Sequence, residues 1–447
     1  MPIPAKVEKI SDCVWEIPAS CKENMRVPAR IYASQTLLEK MDDGVFEQVT
    51  NVATLPGIVR HAFCMPDGHW GYGFPIGGVA AVDPQEGVIS PGGIGFDINC
   101  GMRLVRTNLT LEEVRPHLTR LIDRLFQRIP AGVGATGFVK ISREEFCEVA
   151  RRGARWAIDN KYGWLEDLQR TEAGGCVAGA DPAQVSPKAI DRGFKQIGTL
   201  GSGNHYLEIQ VATDYLQTFL RTMGSKYGLS MPDRELACAP FPSQEGQDYF
   251  SAMNCAINMS FANRQVILHR IREVFSEVFG KDPAELGMHQ VYDVAHNTAQ
   301  LETHLVGGRM RQLLVHRKGA TRALGPGMAG LPDIYKKTGQ PVIIGGSMET
   351  GSYLLAGVAG GDQTFYSTAH GSGRAMSRSQ AKRTYNGKQL QQQLKDRGIY
   401  IRCASFAGLA EEAGAAYKNI DEVVTAAEQA GISRRVVRFL PIGNVKG

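Results

Sequence analysis

Several common features are missing from this 447-residue chain, and each absence narrows the field. No apolar run comes near the roughly 18–20 residues of a membrane-spanning helix, so no membrane association is expected. The opening Met1-Pro2-Ile3-Pro4-Ala5-Lys6 has no secretory h-region. The nine cysteines (13, 21, 64, 100, 147, 176, 238, 255 and 403) never form a C-x-x-C pair. Odd in number and scattered, they fit a reducing cytoplasm better than a disulfide scaffold or a zinc ribbon, so a cytoplasmic location is expected. Charge of neither sign dominates. The formal +5 permits a nucleic-acid partner without arguing for one, because a local basic groove matters more than the total. There is no low-complexity segment and no internal repeat. With 43% hydrophobic and 21% charged residues the chain has an ordinary globular composition. Its length allows two or three domains, but no internal boundary shows, so residues 1–447 are read as one compact catalytic unit.

What the chain does have is glycine, 51 residues of it, gathered around polar side chains. Ile89 to Arg103 reads I-S-P-G-G-I-G-F-D-I-N-C-G-M-R. Asp97 and Cys100 stand three residues apart in it, one a hard oxygen donor and the other a soft sulfur donor. A buried structural cysteine is the plain alternative for Cys100. Upstream, Met65-Pro66-Asp67-Gly68-His69-Trp70-Gly71-Tyr72-Gly73 adds a carboxylate and an imidazole. Both stretches read as polar, glycine-rich loops forming an active-site floor, close enough in backbone to wrap a ligand.

Along the chain, short strands are expected at 14–17, 30–32, 79–82, 104–106, 313–315, 342–344 and 353–355, and the last apolar run is 436–440. Thr110 with Glu113 forms a capping box before a helix carrying Val114, Leu118, Leu121, Ile122 and Leu125. Ser142 with Glu145 repeats it before a helix bearing Phe146, Ala150, Ala154 and Ala157. A helix is expected over 213–228, and a longer one over 248–279 with a buried stripe from Phe250 to Val278. Val315 to Arg322 reads as a basic, glycine-bearing loop of the kind that holds phosphate. Alternating short strands, helices and glycine loops make the fold class α+β.

The glycine-flanked donors are Asp97, Cys100, His205, His296 and His370, residue types that serve as metal ligands. For His205 the plain alternative is a satisfied, half-buried histidine. Thiolate and imidazole softness points to zinc or iron. Arg317, Lys318, Arg322 and Arg374 supply cations that suit phosphate. Metal and phosphate binding together indicate phosphoryl or nucleotidyl transfer, or phosphoester hydrolysis. Spacing does not choose among ligand, general acid and nucleophile for His370.

Six motifs taken in order, M-P-D-G-H at 65–69, G-F-D-I-N-C-G-M-R at 95–103, G-S-G-N-H-Y-L-E at 201–208, D-V-A-H-N at 293–297, H-R-K-G-A-T-R at 316–322 and H-G-S-G-R at 370–374, resemble the RtcB family of RNA-splicing ligases. The likeness covers almost the whole chain. It implies the RtcB-like α+β fold, with mixed sheets and peripheral helices. It also implies a ligase dependent on GTP and manganese (Mn2+, one or two ions) that joins RNA 3′-phosphate or 2′,3′-cyclic phosphate ends to 5′-hydroxyl ends in tRNA splicing or RNA repair. The RNA would be broken ends or tRNA halves, and some relatives use an activating partner protein of the archease type. By the same resemblance His370 takes the guanylate, Cys100 bridges two metal ions, Asp97 and His205 hold one and His296 the other. Asn204 meets phosphate, Glu208 and Lys446 recognise guanine, and Lys318, Ser347, Ser352, Arg374 and Tyr417 make further nucleotide contacts. Asp67 is an acidic residue beside the site. Manganese comes from the resemblance alone, since softness points elsewhere.

The chain departs from the family pattern at one place. Relatives carry a block with an H-S-G-S-R-G-like motif between the strand after G-S-G-N-H and the helix beginning V-A-T-D-Y, whereas here Gln210 runs straight into Val211. About thirty residues are missing there, and the expectation is that Gln210–Val211 is not a native peptide bond. If the block is truly absent, the rival readings are an inactive binder of RNA ends or nucleotide and a metal-dependent cyclic phosphoesterase.

Overall fold

The computed structural model describes residues 7–132, 134–201, 203, 205–215 and 233–447. Among them two large sheets stand out. The larger has nine strands. Its main path runs Glu8–Ser11, Val14–Ile17, Ala29–Tyr32, Ile58–His69, Ile76–Val82, Arg309–Arg322, His289–Val306 and Gly101–Arg106, with Ser367–Ala369 also pairing on 309–322. Its central strands 58–69 and 76–82 are buried along nearly their whole length, the second as its apolar run requires and the first although it carries Arg60, His61 and Asp67. The smaller sheet has five strands. Its path is Pro341–Gly345, Ser352–Ala356, Arg434–Lys446 and Tyr400–Cys403, and Tyr206–Tyr215 joins it by pairing with 434–446.

The long helix spans Gln244–Phe279. Ser243 caps it by accepting from the Gly246 amide, and Gly280 ends it at φ +67°, a left-handed conformation that favours glycine. Met253, Ile257, Phe261, Val274 and Val278 are buried on it, so the expected stripe is core. The same helix buries a cation: Arg272 makes two hydrogen bonds to the Asp167 carboxylate, at 2.6 and 2.8 Å.

Several expectations need correction. The Thr110–Glu113 capping box is present, but the helix stops at Val114 and resumes over Leu118–Arg128 after a tight turn, because Pro116 has no amide to donate. The helix capped by Ser142 breaks at Gly153, where φ is +54°, and restarts at Ala154. Met65 to His69 is the end of strand 58–69, not a loop. The basic segment 315–322 is also strand. Its arginines are structural rather than phosphate-binding: Arg317 is buried against Glu302 at 2.5 and 2.9 Å, and Arg322 lies 3.0 Å from Glu172. Of the helix expected over 213–228, residues 213–215 are strand and the rest lies outside the described residues. Gln210 and Val211 are consecutive in strand 206–215, opposite Pro441 and Leu440. Val211-Ala212-Thr213 has the β-branched, small composition that lets the ladder continue.

Candidate active site

A cavity of about 1220 Å³ opens where the two sheets meet, and most of the singled-out side chains line it. Its first corner is the loop between residues 94 and 100. Asn99 holds this loop's end at φ +55°, a conformation asparagine tolerates, with its side chain donating to Ile257 O at 2.8 Å. Arg264 donates to Asn99 O at 2.7 Å and is itself anchored on buried Asp293. The Cys100 carbonyl accepts from the His296 amide at 2.8 Å, which ties the loop to strand 289–306. A cluster of donors results. His205 Nε2 lies 2.8 Å from Asp97 Oδ2 and 3.6 Å from Cys100 Sγ, and the three donor atoms fall within 4.8 Å of one another.

Burial pushes Asp97 up, but the His205 imidazole and Cys100 outweigh it and hold the carboxyl down to about 2. Burial opposes charge on His205, yet its bonds to Asp97 and Cys100 raise it well above the ordinary imidazole value. Burial raises the Cys100 thiol. Carboxylate, thiolate and imidazole held this close together are a donor set that fits a divalent ion.

His296 and His370 stand side by side, ring centroids 4.6 Å apart. Burial and the neighbouring His370 push His296 well below the ordinary value. His370 follows strand 367–369 and is aimed by Asp67, whose Oδ2 meets His370 Nδ1 at 2.6 Å and accepts the His370 amide at 3.1 Å. A carboxylate that takes Nδ1–H leaves the lone pair on Nε2. The approach demands glycine at 373, where φ is +72° and a side chain would meet the Asp67 backbone.

The opposite corner is the edge of strand 206–215 paired with 434–446. Asn444 faces Glu208 and Lys446 faces Tyr206. Glu208 accepts from Asn444 and, at 2.6 Å, from Gln210, which also donates to Ser352 at 3.0 Å. Burial pushes the Glu208 carboxyl up to about 7, against the pull of Lys446 and the two amides. Lys446 lines the same cavity but donates to Glu412 at 3.1 Å rather than to Glu208. Arg374 donates to Glu412 at 3.3 Å and to the Tyr417 hydroxyl at 3.1 Å. Ser347 lines the cavity at the end of strand 341–345, and its hydroxyl accepts from the Glu349 and Thr350 amides. Ser352 is buried behind Gln210. Lys318 lines the cavity, but its ammonium donates to the carbonyls of Tyr72 and Phe74, the latter at 3.0 Å. Asn204 lies outside the described residues.

Two residues the sequence reading missed belong to this site. Glu412 is buried and gathers Lys446, Arg374 and Tyr417 around one carboxylate. Lys418 donates to Gly68 O while its amide bonds Gly373 O at 2.9 Å, clamping the strand that bears Asp67 to the loop after His370. Neither carried a signal beyond lying beside Tyr417.

Comparison with known proteins shows the family. The family model described as tRNA-splicing ligase RtcB matches residues 48–213 and 209–447. The tRNA-splicing ligase RtcB of Thermococcus kodakarensis is 49% identical over 478 aligned positions, covering 99% of both chains. That of Archaeoglobus fulgidus is 48% identical, with 99% of each chain covered. The RNA-splicing ligase RtcB of Mycobacterium tuberculosis is 46% identical over 90% of this chain and all of its own. An alignment of 478 positions exceeds this chain's 447 residues, so at least 31 positions of the Thermococcus protein have no counterpart here. The two matched family segments meet at 209–213, around the Gln210–Val211 junction. With a family model that matches nearly end to end and relatives near half identity, the chain belongs to the RtcB family of tRNA-splicing ligases.

Proposed function

We propose that this protein is an RNA ligase. It joins RNA 3′-phosphate or 2′,3′-cyclic phosphate ends to 5′-hydroxyl ends, at the expense of GTP and with manganese as the metal. The observation that carries this reading is the convergence on one cavity of an oriented histidine, a carboxylate–thiolate–imidazole cluster and a carboxylate–lysine corner. Asp67 holds His370 so that Nε2 is the free nucleophile toward the α-phosphorus of GTP, and a covalent histidine–GMP splits one difficult transfer into two. Asp97, Cys100 and His205 would hold the metal, with His296 beside them, and a bound divalent ion neutralises charge developing on phosphoryl oxygens. Asn204 and Arg374 suit phosphate, and Ser347, Ser352 and Tyr417 suit the nucleoside. Lys318 is better matched to holding the 72–74 carbonyls. The reading also carries an RNA partner such as tRNA halves, an archease-type activator and a cytoplasmic setting.

A second reading rests on the 31 or more positions without a counterpart. We propose that they fall at Gln210–Val211, where the family's second set of metal and phosphate ligands would sit. A chain lacking that set would bind ends, or open cyclic phosphates, without ligating. Incubation with α-labelled GTP and manganese separates the two. A stable protein–GMP adduct, followed by joining of a 3′-phosphate RNA to a 5′-hydroxyl RNA, supports the ligase; cyclic-phosphate opening without an adduct supports the rival.

Guanine presents two adjacent N–H donors, which a carboxylate accepts and a carboxylic acid does not. Glu208, raised to about 7, is therefore expected to weaken GTP use in mild acid. The apparent KM for GTP in adduct formation should be roughly tenfold higher at pH 6 than at pH 8, as the ionised fraction falls. The Glu208→Gln variant should bind GTP poorly and without that pH slope. The stability sign is opposite: the fold favours the protonated carboxyl, so this contribution is present below about 4.5 and lost as pH rises through 7.

A further inference from the structure

Two aromatic side chains that line the cavity, and a third two residues from one of them, are far more exposed than their apolar surface warrants. Phe96 is 89% exposed, Trp70 60% and Tyr72 46%. Phe96 and Tyr72 line the cavity that holds His370, and their ring centroids lie 5.5 Å apart with planes inclined by 48°. Phe96 directly precedes Asp97, so its ring stands one residue from the donor cluster.

This exposure belongs to a built surface. Gln48 brackets Gly71 from both sides, donating to its carbonyl at 2.6 Å and accepting from its amide at 3.1 Å. Glu235 accepts from the Gly73 amide at 2.9 Å, and Lys318 donates to the carbonyls of Tyr72 and Phe74. The Trp70 ring lies against Gly44 so closely that a side chain there would displace it. Five backbone groups of the 70–74 segment, the amides of Gly71 and Gly73 and the carbonyls of Gly71, Tyr72 and Phe74, are tied to neighbours. The rings are thus presented to solvent rather than left there by a loose loop.

We propose that Phe96 and Tyr72, flanked by Trp70, form a stacking platform for the unpaired bases of RNA adjoining the ends to be joined. The proposal rests on the ligase reading and names the part of its substrate that this rim contacts. An end whose terminal phosphate reaches His370 must be single-stranded as it leaves the cavity, and its first bases then pass the rim. Every base has a π face, so aromatic stacking holds an end without reading its sequence, as a repair enzyme requires. The Lys318 ammonium, 5.9 Å from the Tyr72 ring centroid, adds positive charge beneath the path of the phosphates.

The test uses the full-length protein and a fluorescent single-stranded RNA ending in a 3′-phosphate. Phe96→Ala and Tyr72→Ala should each weaken binding by about tenfold, the scale of one lost base stack, and Tyr72→Phe should retain it. An abasic nucleotide near the RNA end should cost the wild type a similar factor yet cost Phe96→Ala little more, because both remove one contact. Thermal unfolding midpoints and circular dichroism spectra of both alanine variants should match the wild type, which marks intact folding. Unchanged RNA affinity in both alanine variants, or losses that multiply with the abasic substitution, would overturn the platform and point to a protein partner for the rim. Binding is read without catalysis. Absence of adduct and joining in the wild type would therefore sink the ligase reading alone, while the oligonucleotide series still judges the platform.

Discussion

Replacement of His370 by alanine is expected to abolish labelling of the protein by α-labelled GTP, down to background, while the chain stays folded. The ring is the nucleophile of the proposed transfer, and among the described imidazoles that line the cavity only His370 is given a carboxylate on Nδ1, Asp67 at 2.6 Å; His289, with Glu166 at the same distance, is not in the lining. Asp67 keeps the His370 and Gly371 amides in the variant, at 3.1 and 3.4 Å, so the stability cost should be about 1 kcal/mol. The Asp67→Asn variant is the sharper probe. An amide at this position no longer enforces Nδ1–H, and adduct formation should fall by about a thousandfold or more with little change in KM for GTP, as expected when a positioned tautomer is lost. Labelling that survives in His370→Ala would place the nucleophile elsewhere.

The second large effect is on metal binding. Cys100→Ala should weaken manganese affinity by about a hundredfold or more, beyond the loss usual for an outer contact. Calorimetric titration with manganese alone reads this without any turnover. Metal must displace the proton that His205 holds against Asp97 and Cys100. Wild-type affinity should therefore fall as pH is lowered, and proton release should accompany binding. Unaltered affinity in Cys100→Ala would remove the thiolate from the ligand set. A preference for zinc over manganese in the same titration would restore the expectation drawn from donor softness.

How much of this was readable beforehand depended on whether the information was local. The 244–279 helix could be read because its apolar period repeats for many turns. Segment 315–322 could not, because its buried residues are polar. Arg317 and His316 break the alternation that marks a strand, and the carboxylate that neutralises Arg317 sits across a hairpin at Glu302. The donors Asp97, Cys100 and His205 stood out by residue type and glycine flanks, but their convergence spans 108 positions and only the fold shows it. The pairing of Asp67 with His370 spans 303. Glu412 was invisible for a different reason. A glutamate after another glutamate reads as a solvated helix end, and its burial depends on three cations and hydroxyls brought from elsewhere. Cap residues were read correctly at Thr110 and Ser142, while Pro116 and Gly153 shortened what followed by ordinary backbone chemistry.

Strand 434–446 has a consequence for how the molecule is made. It is the hub of the smaller sheet, touching 352–356, 400–403 and 206–215, and its Asn444 contacts Glu208 across 236 positions of chain. Pairings of such high sequence separation form late, since loop closure must be paid for before they reward it. Until that strand docks, strand 206–215 has an open edge facing solvent, a template for unwanted pairing between chains. The proposed nucleotide corner then matures late, alongside the Asp67–His370 pairing that spans 303 positions. Competence to bind GTP becomes a measure of complete folding, trailing the recovery of helix, and a nascent chain arrested before this strand emerges would hold its donor residues without a pocket to use them in.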